Sequence, residues 1–248
     1  MIDEGALAPQ RSDDAALSSV ALLDGLASTR TIRRYTDQDI PTADLSTILW
    51  HASRAPSGSN RQPVRYVTLR RDPISVQAKK LLGDSFRASW TAKSESDGYA
   101  TGTGTVADSP KARMAATMQH YVDHIEAVPV IILVCMKRHR HPNPYEGASV
   151  YPACQNLLLA ARAMGYGGAL TLWHQQVESS LRSLLSIPDT VAISACITLG
   201  VPAGHHGPVR RLALDRVVFD GAWDVPAAWA SEPADSAVVP RSNDWNRR

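Results

Sequence analysis

With 248 residues, 44% of them hydrophobic and 20% charged, the chain can bury a sizeable core as one large or two small domains. A net charge of +2 gives no electrostatic footprint for nucleic acid. The longest apolar run, residues 128–136, has the length of a buried strand and not of a membrane span. Cys135, Cys154 and Cys196 are odd in number, lack Cys-x-x-Cys spacing and sit in apolar stretches. Buried reduced thiols in a cytoplasmic protein are therefore expected.

In chain order, residues 1–14 read as a flexible polar leader without the basic and apolar blocks of a signal peptide. Asp13 or Asp14 can cap a helix over 15–27. Thr29-Arg30-Thr31-Ile32-Arg33-Arg34-Tyr35 follows, offering the forked charged donors and the hydroxyl that a phosphate needs. The same arginines could merely complement the end of the preceding helix. Pro41, Thr42 and Asp44 open a second helix that runs to about residue 54, with Leu45, Ile48, Leu49 and Ala52 at helical spacing.

That helix delivers the chain to Ala55-Pro56-Ser57-Gly58-Ser59-Asn60-Arg61-Gln62-Pro63. The composition forbids continued helix or sheet and leaves a loop rich in short donors and acceptors. Such a loop between buried elements either holds a small ligand or is a plain polar turn. A β-prone stretch follows over 64–69, then a short helix over 74–82. Residues 84–109 turn rich in Ser, Thr, Gly and Asp around isolated Phe86, Trp90 and Tyr99, and a lid-like insertion is expected there.

A helix over 111–126, a buried strand over 128–136 and a basic, turn-rich loop over 137–144 come next. The loop's His139-x-His141 has no acidic or cysteine partner nearby, so solvation is expected and metal binding is not. The alanine-rich helix over 148–164 has small residues suited to close helix packing and is a candidate dimer core; Gly165 ends it. Gly165-Tyr166-Gly167-Gly168 leads into a strand over 169–173 and is no dinucleotide fingerprint. A helix over 177–187, a strand over 191–199 and a loop with His205 and His206, expected to be exposed and unpartnered, precede Arg210-Arg211. No nucleophile–base arrangement, phosphate-binding loop or zinc spacing can be assembled.

The ordered set resembles the FMN-dependent nitroreductase family over residues 26 to about 220. It comprises Arg-Thr-Ile-Arg-Arg-Tyr, Ala-Pro-Ser-x-x-Asn-x-Gln-Pro, Ala-Cys-Gln-Asn-Leu-Leu-Leu-Ala-Ala-Arg-Ala-Met-Gly-Tyr-Gly-Gly, Leu-Gly-Val-Pro and Arg-Arg-Leu-Ala-Leu. The resemblance implies an α+β three-layer fold, a central mostly antiparallel sheet flanked by helices, in an intertwined homodimer. One domain over 15–225 is expected with it; the leader, much of 84–109 and the C-terminal tail over 226–248 lie outside the resemblance, and 84–109 is expected from its composition to be a lid, with Phe86, Trp90 or Tyr99 lining the acceptor site. Arg30, Thr31 and Arg33 match the first FMN contacts, where relatives more often carry serine at the position of Thr31. Pro56, Ser57, Asn60 and Gln62 match the loop that reaches the flavin from the partner subunit. Leu172 and Trp173 fall where backbone amides face the isoalloxazine, and Arg211, with Arg210 beside it, matches the late phosphate-binding arginine.

The implied activity is transfer of hydride from NADPH or NADH through FMN to a nitroaromatic, quinone or similar acceptor, with no catalytic side chain of the protein's own. The same fold serves dehalogenases and a flavin destructase, whose arginine motif carries aspartate at the position of Thr31. A non-catalytic flavin-binding protein would share the cofactor contacts, and anaerobic bleaching by NADPH or NADH separates it from an enzyme.

Overall fold

The sheet is built around Val130–Lys137, an almost unbroken apolar run whose alternate residues feed two different cores. In the computed structural model, which describes residues 20–233 and the backbone of 239–240, this strand (β2) lies between β1, Val64–Leu69, and β4, Val191–Gly200. β3, Gly167–Thr171, closes the other edge, giving the antiparallel order β1-β2-β4-β3. Ile131, Leu133 and Cys135 face one side, and Val130, Ile132, Val134 and Met136 the other. A register shift between Val134 and Cys135 leaves Ser194 of β4 unpaired, so Ile193 and Cys196 share a face despite their odd spacing.

Helices cover both faces, which explains why the strands read as continuous apolar runs. On one side lie α3, Pro73–Ser96, α4, Pro110–Asp123, and α6, Glu178–Leu185. On the other lie α2, Thr42–Ala52, and α5, Tyr151–Ala163, with α1, Leu22–Ser28, against α5. The architecture is the expected α+β three-layer one. The three cysteines are free and buried, and burial pushes the Cys135 and Cys154 thiols up to about 11 and Cys196 to about 12. Among the described residues no helix is long and apolar enough to cross a membrane.

The expected short helix over 74–82 is corrected: α3 continues through 84–96, inside the stretch read as a lid. Asp72 caps it, accepting from the Ser75 N–H at 3.0 Å, and Pro73 fits its first turn. Ala78, Leu82, Phe86 and Trp90 recur every fourth residue and all are buried. Phe86 and Trp90 are therefore core residues and not free to line an acceptor site. Trp90 Nε1 donates to Gln119 Oε1 at 2.9 Å and ties α3 to α4. The irregular part of 84–109 is confined to residues 97–109, where Tyr99 packs 5.2 Å from the Trp90 ring. The leader over 1–14 lies outside the described residues, as does most of the tail beyond 233.

Candidate functional site

The arginine-bearing segment 29–36 runs extended beside the β3 edge. Ile32 N–H donates to Gly168 O at 2.9 Å, Thr36 N–H to Val201 O at 2.9 Å, and Ala203 N–H to Arg34 O at 3.0 Å. Extended backbone alternates its side chains, so Ile32 is buried while Thr31 and Arg33 turn the other way. Gly167 and Gly200 allow this approach. A Cβ on Gly167 would lie 2.5 Å from Ile32, and one on Gly200 2.8 Å from Tyr35. Beneath the segment, Tyr121, Thr198 and Tyr35 form a hydrogen-bonded chain, at 2.9 and 2.8 Å, that ends with Tyr35 Oη donating to Ile32 O at 2.6 Å. Burial pushes both phenols well up, so they stay protonated donors.

Three separate segments meet over this platform in one cleft of about 700 Å³. Its walls include Arg30, Thr31, Arg33, Arg113, Arg210 and Arg211. Arg210–Arg211 form the short strand β5, paired in parallel with the backbone of β6, Val239–Pro240. None of the five arginines takes part in an ion pair among the described residues. Like charges gathered without carboxylate partners repel one another, and a bound anion relieves that.

The other sequence-predicted residues lie outside the walls of this cleft. The 56–62 loop is mostly exposed and holds itself: Ser57 Oγ accepts from the Gln62 N–H at 2.9 Å, and Ser149 Oγ from the Gly58 N–H at 3.1 Å. Ser59, Asn60 and Gln62 all have left-handed backbone, with φ of 52°, 48° and 49°. Each such non-glycine residue costs on the order of 1–2 kcal/mol. Strain of that size concentrated in one loop is what ligand clamps carry.

Leu172 is exposed, and Trp173 sits in the turn after β3, which ends two residues earlier than the expected strand. The Trp173 N–H donates to Thr171 Oγ1 at 3.2 Å, while Ser85 Oγ donates to the Trp173 carbonyl. Phe86 meets the Trp173 ring edge-on at 5.7 Å. The extended α3 thus buttresses this corner from below. Behind it, His174 Nε2 donates to Ile193 O at 3.0 Å and burial pulls its pKa down.

A model described as the nitroreductase family matches residues 26–201. The chain belongs to the nitroreductase family. Among its relatives, the NADH dehydrogenase of Thermus thermophilus is 28% identical over 206 residues, covering 77% of this chain and 91% of that one. An FMN-complexed structure from Desulfovibrio desulfuricans, assigned as a nitroreductase, is 25% identical with a TM-score of 0.59, over 81% of this chain and 96% of its own. The FMN- and NADPH-dependent nitroreductase NfnB of Sphigopyxis sp. strain HMH is similar in fold, with TM-score 0.60, 20% identity and coverage of 82% and 100%. So is iodotyrosine deiodinase bound to FMN and 3-iodo-L-tyrosine, with TM-score 0.58, 21% identity and coverage of 77% and 95%. Within this family the chain is a flavin oxidoreductase.

Two residues in the nitroreductase frame escape sequence reasoning. Arg113 reaches the cleft from α4, outside every quoted motif; its side chain donates to the Asp108 carbonyl. His206, expected to be exposed and unpartnered, is half-buried and bridges two segments. Its Nδ1 accepts from the Arg30 N–H at 3.2 Å, which leaves Nε2 to donate to Tyr166 O at 3.3 Å. Gly207 N–H donates to Ser28 O at 3.3 Å beside it. Burial first, then the Arg162 and Arg30 guanidiniums, pull the His206 pKa down, so the ring is neutral near pH 7. No local pattern in Gly-His-His-Gly announces a contact 176 residues away. His139 and His141, in contrast, are exposed in their loop. Among the described residues no group of three or more His, Cys, Asp or Glu is placed for a metal.

Proposed function

We propose that this chain is an FMN-dependent oxidoreductase that accepts hydride from NADPH or NADH and delivers it to a nitroaromatic, quinone or similar small acceptor, the two substrates alternating at one site. The observation that carries the reading is the cleft walled by five arginines without carboxylate partners. The donor set fits the FMN phosphate: Arg30, Arg33 and Arg211 supply forked charged donors and Thr31 a hydroxyl. Bound FMN supplies the hydride chemistry. His206 holds the Arg30 backbone, and the Phe86–Trp173 contact fixes the corner where Leu172 and Trp173 are assigned to the ring.

The strained, outward-facing 56–62 loop lies outside this cleft, which suits a loop whose Pro56, Ser57, Asn60 and Gln62 serve the partner's flavin. A homodimer is part of the proposal. Leu22 and Leu23 of α1 are 69% and 78% exposed, and Trp223 and Trp229 are 82% and 67% exposed. Apolar exposure of this extent on a soluble family member calls for a covering surface. Residues 97–109 remain the candidate lid, and a reducing cytoplasm suits the three inert thiols.

Freshly purified protein is expected to be yellow, to release FMN on denaturation, to sediment as a dimer and to bleach anaerobically with NADPH or NADH. Protein that neither carries nor takes up FMN would refute the reading. Flavin that stays oxidised with both nicotinamides would leave a binding protein in place of an enzyme.

A further inference from the structure

The arginine cleft holds more positive charge than one flavin phosphate neutralises. A phosphate monoester carries about −1.5 to −2 near pH 7, so roughly three of the five guanidiniums stay uncompensated. The excess is not spread evenly. Arg30, Arg33 and the Arg210–Arg211 pair belong to two segments joined by the His206–Arg30 and Gly207–Ser28 hydrogen bonds, whereas Arg113 comes from a third element, α4. One turn of α4 presents Arg113, Met114 and Thr117 to the same space: a guanidinium, a thioether and a hydroxyl. Arg113 and Met114 are exposed, and the first turn of α4 contains no acid to offset the charge. The cleft volume, about 700 Å³, is that of a site for a whole small molecule and far exceeds a phosphate.

Resting on the flavin reading above, we propose that Arg113 heads a second anion subsite in this cleft. It takes the carboxylate or phosphate of the second substrate, while Arg30, Arg33 and Arg211 hold the flavin phosphate. Met114 forms the apolar wall against the body of that substrate, while the Thr117 hydroxyl is spent on the Arg113 carbonyl at 2.9 Å and leaves Arg113 as the anion's donor on this wall. The consequence is a preference for anionic substrates over neutral isosteres. The anion has two sources, an acidic acceptor or the 2′-phosphate of NADPH.

The test uses the FMN-loaded dimer with Arg113→Gln, which removes the charge, and Arg113→Lys, which keeps it. KM is measured for 4-nitrobenzoate against 4-nitrobenzamide and for NADPH against NADH, and FMN affinity is titrated in parallel. Arg113→Gln is expected to raise KM about tenfold for 4-nitrobenzoate or for NADPH, depending on which carries the anion. Its neutral or unphosphorylated counterpart should hardly change, Arg113→Lys, which keeps the charge but not the fork, should recover part of the loss, and FMN affinity should stay within twofold. Weakened FMN binding in Arg113→Gln, as large as that from losing Arg30, would assign Arg113 to the flavin phosphate and overturn the subsite. Four unchanged KM values would make it a solvated surface arginine. Wild-type protein that binds no FMN fails at the first titration, before any variant is read, and takes the flavin reading down with it.

Discussion

Among the described residues, two basic clefts of similar size hold their cations in different ways. The second, about 570 Å³, is lined by Arg70, Arg71, Lys79 and Lys80. There the fold supplies the acceptors. Arg70 Nη2 donates to Ile40 O at 2.8 Å, Arg71 pairs with Asp39 at 2.8 Å, and Lys79 Nζ donates to Val128 O at 2.6 Å. These cations staple the 37–40 segment and the approach to β2 onto the α3 side of the sheet. In the arginine cleft no carboxylate pairs with any of the five arginines, and the carbonyls that Arg113 and Arg211 reach, Asp108 and Arg210, lie within five residues of them. What separates the two clefts is thus whether the cations are spent on tying distant segments together, since the clefts hardly differ in the number of cations they own.

The sharpest way to break this comparison is to remove one charge from each cleft. Arg30→Ala or Arg211→Ala should weaken FMN binding by about 1.5–3 kcal/mol, roughly ten- to a hundredfold in Kd. Arg70→Ala should leave FMN affinity alone and act on thermal stability, through the orphaned Ile40 carbonyl. FMN titration and melting curves of the three apoproteins check this. Equal losses of FMN affinity at Arg30 and Arg70 would erase the distinction between the clefts.

A second test reads the stapled cleft by pH. Lys79 is 3% exposed, and burial, reinforced by the Arg71 guanidinium, pulls its ammonium down to about 8. The unfolded chain therefore binds more protons than the native one between about pH 8 and the ordinary lysine range. Native stability gains from Lys79 as pH rises through that window, because the desolvation cost of the charge disappears. Relative to Lys79→Met, the wild type should gain about 2 kcal/mol between pH 7.5 and 10. Denaturant melts at the two pH values measure it, and parallel curves would mean that Lys79 keeps its full charge at no cost.

What was legible in the sequence follows the range of each signal. β2 and β4 were plain because both faces are buried, so their composition alone announces them. The arginine segment and Arg211 were legible as an ordered set, and the structure brings them together across the chain. Helix α3 was cut short because Ser, Thr and Asp on its exposed face outweighed a four-residue repeat of small and large apolar residues, Ala78 to Trp90. The left-handed backbone at Ser59, Asn60 and Gln62 was invisible, since only asparagine hints at it. Arg113 was out of reach because the other arginines that line its cleft lie far along the chain, and His206 because its contact with Arg30 spans 176 residues.

The smallest expected effect probes how the charges of the arginine cleft are aimed. His206 touches the arginine cleft only through the Arg30 N–H, and it links that strand to Tyr166 at the start of β3. Replacing it with alanine removes one hydrogen bond at each end and leaves every guanidinium in place. A neutral hydrogen bond contributes about 0.5–1.5 kcal/mol net, so His206→Ala should weaken FMN binding about three- to tenfold, less than losing Arg30 itself. His206→Asn can still accept from the Arg30 N–H and should recover part of the loss. Arg30→Ala combined with His206→Ala then tells positioning from a separate contribution. If His206 acts only by aiming Arg30, the double variant should bind FMN no more weakly than Arg30→Ala alone. Fully additive losses would mean that His206 reaches the phosphate by another route, and that the Arg30 backbone contact is incidental.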